Sequence, residues 1–145
     1  MLVKANLDWS VRTEKVVTES GIHLPNIAIV REDTNKVIGL HSDGYVPYQN
    51  SQLIELMDRV TTLTGLELKK GGSFKDGARV FVQMKSDNMT LGTDRIEGFV
   101  TGINSFDGST SLGFGPSNVT ISCMNTFFAA YRGLTKVRHT KSMEI

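Results

Sequence analysis

Cysteine occurs once in the 145 residues, at Cys123, so no disulfide can form within the chain. The reading is a reducing, cytoplasmic setting, with Cys123 expected as a small buried hydrophobe. Neither sign of charge is in excess: 16 Lys and Arg against 15 Asp and Glu leave a formal charge of +1. That excludes a bulk attraction to nucleic acid or to an anionic membrane, and leaves only local basic surface. No run approaches the roughly 20 apolar residues of a spanning helix, so no membrane partner is expected. The opening Met1-Leu2-Val3-Lys4-Ala5-Asn6-Leu7-Asp8-Trp9 interrupts its apolar residues too often for a secretory leader.

Catalytic signatures are also missing. His23, His41 and His139 stand far apart without zinc-ligand spacing, so no metal site is expected. Gly71-Gly72-Ser73-Phe74-Lys75 lacks the Gly-Lys-Ser/Thr ending of a phosphate loop, and leads into a strand. No serine occupies a Gly-x-Ser-x-Gly elbow, and Cys123 has no histidine near it in sequence. Asp87, Asp94, Glu97 and Asp107 could serve a metal-dependent nuclease only by converging on a divalent ion. Three of them fall in turns or at strand edges, where Asp is common for backbone reasons. The expectation is a protein without enzymatic activity, cofactor or metal.

What is present is an alternation of strands and helices, punctuated by 14 glycines and only 3 prolines. Residues 26–31 and 36–41 flank Asp33-Thr34-Asn35 and predict a β-hairpin. Leu53, Ile54, Leu56, Met57, Val60 and Leu63 recur at spacings of three and four, predicting one buried helical stripe over 51–63 that Gly65 ends. Asn50 or Ser51 is read as its cap. Strands follow at 66–74 and 79–84, joined by Lys75-Asp76-Gly77, then at 95–104 and around 111–114, joined by Phe106-Asp107-Gly108-Ser109. Residues 118–122 are read as an extension of the sheet, and 124–132 as a second helix that Gly133 stops, with Asn125 in a capping role. In the second strand, Val80, Val82 and Met84 alternate with Arg79, Phe81, Gln83 and Lys85, which predicts one core face and one open face. The fold class is therefore α+β, an antiparallel meander sheet packed against two helices with an N-terminal β-hairpin. Residues 1–135 form a single domain and 136–145 a basic C-terminal tail. Trp9 has two readings, a packing residue within its own chain or an anchor on a neighbouring copy.

Binding is the functional class these residues favour. Lys69, Lys70, Lys75, Arg79 and Lys85 lie along one hairpin, interleaved with Phe74 and Phe81. Cations neutralise phosphates and rings stack on unpaired bases, the two ingredients that single-strand binders combine. Arg132, Lys136, Arg138, His139 and Lys141 form a second basic group. The competing reading is solubility and edge protection, with Phe81 packed beneath the N-terminal segment.

Blocks of the sequence resemble a known family. Val30-Arg31-Glu32-Asp33-Thr34 and Val37-Ile38-Gly39 precede Tyr45-Val46-Pro47-Tyr48-Gln49-Asn50, and Gly71-Gly72-Ser73-Phe74-Lys75-Asp76-Gly77-Ala78-Arg79-Val80-Phe81-Val82 follows. Then come Asn104-Ser105-Phe106-Asp107-Gly108-Ser109, Cys123-Met124-Asn125-Thr126 and Arg138-His139-Thr140. Together, over residues 27–141, they resemble the phage/plasmid-like family known as domain of unknown function 932. The family usually carries His where this chain has Phe106, and Gln or a similar residue where it has Met124. Its members are commonly longer, with a helical C-terminal region. The resemblance implies a setting of phages and mobile elements, hence a host-cell cytoplasm, and no activity. A second, topological likeness is to phage single-strand annealing recombinases, which hold DNA in the outer groove of a ring or filament. The resulting expectation is a single-stranded DNA-binding and annealing protein of recombination, a homo-oligomer that acts without catalysis. The alternative is a phage accessory protein that binds a host polypeptide.

Overall fold

The computed structural model describes residues 2–85 and 98–137. Two antiparallel sheets and two helices make an α+β fold. The first sheet contains β1 (Val11–Val17), β2 (His23–Arg31) and β3 (Val37–Ser42), in that order. The second is a five-stranded meander of β4 (Glu67–Phe74), β5 (Arg79–Lys85), β6 (Phe99–Ser105), β7 (Leu112–Ser117) and β8 (Thr135–Val137). Helix α1 (Asn50–Thr64) joins the sheets, and α2 (Met124–Arg132) lies between β7 and β8.

The expected hairpin is β2–β3, with Asn35 in the left-handed region at φ 58° and its amide bonded to the Arg31 carbonyl at 2.8 Å. Strand β1 adds a hairpin before it that alternation does not reveal, because Thr13, Glu14 and Lys15 are all exposed. It is held by backbone pairing to β2 and by Gln49. That side-chain amide accepts from the Val11 N–H at 3.0 Å and donates to the Val11 carbonyl at 2.9 Å, as a further strand would.

The five-stranded sheet is covered on both faces. On one, Val80, Val82 and Met84 pack with Leu53, Ile54 and Met57 of α1 and with Ala5 and Leu7 of the N-terminal segment. On the other, Phe81 and Ile103 pack with Phe127 and Ala130 of α2. The expected open face of β5 is thus a second core, since α2 folds back over it. Phe81 is 3% exposed and stacks on Phe74 at 5.7 Å between centroids. Gln83 is buried as well. Its amide donates to the Thr101 hydroxyl (3.1 Å) and the Val119 carbonyl (2.8 Å), and accepts from the Ile121 N–H (3.0 Å). Residues 118–122 therefore do not extend the sheet, because a glutamine side chain takes the backbone groups a ladder would use.

Both cap assignments change. Asn50 is buried and donates to the carbonyls of Leu7 and Trp9, each at 3.4 Å, so it fastens the N-terminal segment and not its own helix. Cys123, not Asn125, is the N-cap of α2. It is exposed, and the Thr126 hydroxyl accepts from the Ser122 and Cys123 amides at 2.9 Å each. Trp9 packs within its own chain, tilted against Phe106 at 5.9 Å and covered by the Arg31 guanidinium at 4.1 Å. Lys136, at the start of the expected tail, belongs to β8.

Candidate nucleic-acid interface

Chain reversal places the end of β4, the start of β5, the end of β6, the start of β7 and the end of β8 at one end of the meander. Two turns, β4–β5 and β6–β7, meet there. Lys75 and Asp76 adopt φ of 53° and 59° in the β4–β5 turn, and Gly77 follows at 100°. A Cβ on Gly77 would lie 2.7 Å from the Trp9 ring, so this turn requires glycine. The Phe106 amide donates to the Ala78 carbonyl, and Arg31 donates to the Asp76 carbonyl at 3.0 Å.

Arg79 opens β5 beside the 106–111 loop. Its Nε donates to Asp107 Oδ2 at 3.2 Å and to Ser109 Oγ at 2.9 Å, and its guanidinium lies over the Phe128 ring at 5.4 Å. The other Asp107 oxygen accepts from the Ser109 amide at 3.0 Å. A second clasp links Ser105 and Thr110. The Ser105 hydroxyl donates to the Thr110 carbonyl at 2.7 Å and accepts from the Thr110 amide at 3.0 Å. From β3, His41 Nε2 donates to the Phe106 carbonyl at 2.6 Å. The loop is therefore fixed from three sides.

Against it lies a cleft of about 380 Å³, lined by His41 and Tyr45, by residues 108–111 and by Tyr131. The His41 and Tyr45 rings are parallel, with centroids 3.7 Å apart and planes within 6°. Burial, reinforced by the Asp107 charge, pushes the Tyr45 phenol well above its ordinary pKa. Tyr131 accepts from the Ser111 amide at 2.9 Å.

The basic residues named from sequence do not form one stripe. Lys69 and Lys70 lie at a bulge of edge strand β4, Lys69 exposed and Lys70 half-buried opposite Gln83. Lys75 is exposed in the turn. Lys85 ends β5, about 20 Å along the strand from Arg79. Arg132 and Lys136 belong to the opposite edge, four strand spacings or about 19 Å from β4. Lys136 donates to the carbonyls of Arg132 (3.0 Å) and Leu134 (2.9 Å), closing the C-terminus of α2. Arg79 is neutralised by Asp107, and the buried Phe81 cannot stack on a base. Arg138, His139, Lys141, Asp87, Asp94 and Glu97 lie outside the described residues.

Sequence reasoning missed His41, Tyr45 and Tyr131 as a group. Of the three only Tyr45 falls in a family-like block, yet blocks 71–82, 104–109 and 123–126 meet beside it, with Arg79 reaching Asp107, Ser109 and, at 3.8 Å, the Met124 sulfur. Among the described residues no helix is long and apolar enough to cross a membrane.

Compared with known proteins, residues 37–145 match the family model described as a domain of unknown function, DUF932. No curated protein and no solved structure matches the chain. With well over half its length matched, from β3 onward, this chain belongs to the DUF932 family.

Proposed function

We propose that this domain binds single-stranded DNA through its phosphates, in the host-cell cytoplasm of a phage or plasmid, and presents the strand for annealing without catalysing a reaction. The observation that supports this most is the division among its cations. Arg12, Arg31, Lys36, Arg59 and Arg79 each pair with a carboxylate. Lys69, Lys70 and Lys75, along the edge of β4 and its turn, have no carboxylate partner among the described residues, and neither has Arg132. Cations without internal partners are free to displace counterions from a nucleic-acid backbone. Arg79 is reassigned from binding phosphate to positioning the 106–111 loop.

The test is the affinity for a single-stranded thirty-mer, followed by fluorescence anisotropy as salt is raised. Affinity is expected to fall steeply. The combined change Lys69→Ala, Lys70→Ala, Lys75→Ala is expected to lower the slope of log affinity against log salt by roughly 2, about 0.7 for each phosphate no longer neutralised. Binding indifferent to salt would refute the reading.

A second reading, an accessory protein that binds a host polypeptide, draws on the outer face of the three-stranded sheet. There Leu40, 60% exposed, pairs with Ala28, and Val37, 64% exposed, pairs with Val30. Capture of a polypeptide by a chain that ignores DNA would favour it.

A further inference from the structure

Resting on the single-strand reading, we propose that the cleft between His41, Tyr45 and Tyr131 is the seat of one unpaired nucleobase. The loop's own hydrogen bonds leave several groups with capacity to spare. Tyr131 Oη accepts from the Ser111 amide at 2.9 Å and Ser109 Oγ from Arg79 at 2.9 Å, so each hydroxyl keeps its own proton to donate. A carbonyl oxygen only accepts, so His41 Nε2 carries hydrogen where it meets the Phe106 carbonyl. The ring's Nδ1 has no hydrogen-bond partner among the described residues and faces no competition for a ligand's polar edge. Thr110, which also lines the cleft, is 6% exposed and holds a hydroxyl without a partner among the described residues.

Charge narrows the ligand further. The one carboxylate of this loop, Asp107, is neutralised by Arg79 at 3.2 Å with both side chains mostly shielded. The lining therefore offers flat rings, hydroxyl donors and an acceptor, and the nearest cation, Lys136, lies over the Tyr131 ring at 4.8 Å with its ammonium donating to backbone carbonyls. A planar ring with carbonyl and amino groups on its edge meets those terms. Phosphates belong outside, where Lys75 and Arg132 stand exposed. The volume of about 380 Å³ suits a single small ligand and not a folded segment. Its three clasps hold the loop in place before anything binds, so little ordering entropy opposes entry.

The experiment compares an oligothymidylate thirty-mer with an abasic thirty-mer of the same charge, by anisotropy at one salt concentration. The abasic strand is expected to bind about tenfold more weakly. Ser111→Leu, which fills the cleft and removes no hydrogen bond described for the loop, is expected to erase that difference while leaving the abasic strand's affinity unchanged. Tyr131→Phe is expected to reduce the difference. Equal binding of the two strands to the native chain, or a preference that survives Ser111→Leu, would overturn the base seat while leaving phosphate binding intact. Should neither strand bind, the single-strand reading fails, and free thymidine and deoxyadenosine judge the cleft separately. Shifts of the Gly108 to Ser111 amide resonances on adding either nucleoside would support it, and an unchanged spectrum with both would end it.

Discussion

Arg79 shows how residue type and residue role part company. Its guanidinium is always charged, yet Asp107, Ser109 and Phe128 surround it, and its contribution is to hold a loop still. Tyr45 makes a sharper case, because its environment has a measurable sign. Burial first, and the Asp107 charge second, raise its pKa above the ordinary value of about 10. The folded chain therefore keeps that proton where the unfolded chain loses it. The stabilisation is complete below pH of about 10 and is lost as pH climbs above that value. Tyr45→Phe is expected to flatten the alkaline limb of an unfolding profile followed by circular dichroism in pH steps. The limb should not vanish, since burial raises the pKa of Tyr48 too. An unaltered limb would contradict the assignment. Cys123 moves the opposite way: exposed at the start of α2, its thiol is held below the usual range chiefly by the Thr126 amide.

Elements were legible in sequence wherever one residue pattern decided them. The stripe of α1, the β2–β3 turn and the Lys75-Asp76-Gly77 reversal each depend on neighbours within a few positions, and each is found where expected. Strand β1 was not legible, because its pairing is made by the backbone of β2 and the amide of Gln49, 38 residues away. The second core was hidden for a related reason: Phe81 reads as exposed until Phe127 is known to cross above it. The cleft was the least legible feature. Its walls come from β3, the segment between β3 and α1, the 106–111 loop and α2, so no local spacing unites them.

Gly39 joins the two sheets most closely, as a Cβ there would meet the Phe106 carbonyl oxygen at 1.8 Å. Gly39→Ala must push the loop away from β3, and is expected to cost about 3 kcal/mol in a denaturant melt. Gly44→Ala is the control, since nothing lies within 4 Å of the added methyl and its φ is not positive. Equal stability of the two variants would show that the sheets do not depend on this approach.

For the whole molecule, the consequential fact is that its two basic groups border opposite edges of one sheet, about 19 Å apart. A continuous cationic track then requires the β8 edge of one copy beside the β4 edge of the next, which is the form of assembly we propose. A head-to-tail arrangement of this kind closes into a ring or runs on as a filament. Lysines on β4 oppose that approach while the chain is free, as edge lysines do elsewhere. Phosphates would relieve the repulsion. The mass of the purified protein is accordingly expected to rise when a single-stranded thirty-mer is added, and a single copy in both conditions would rule the assembly out.

The double cover over β5 carries a last consequence for how the molecule opens. From Val80 to Met84 every residue is buried, with α1 on one side and α2 on the other. Solvent reaches those amides only if a whole helical layer lifts away, so in heavy water they should be the last to take up deuterium, at a rate that tracks global unfolding. The amides of β1, along the thinner sheet, should be labelled far sooner.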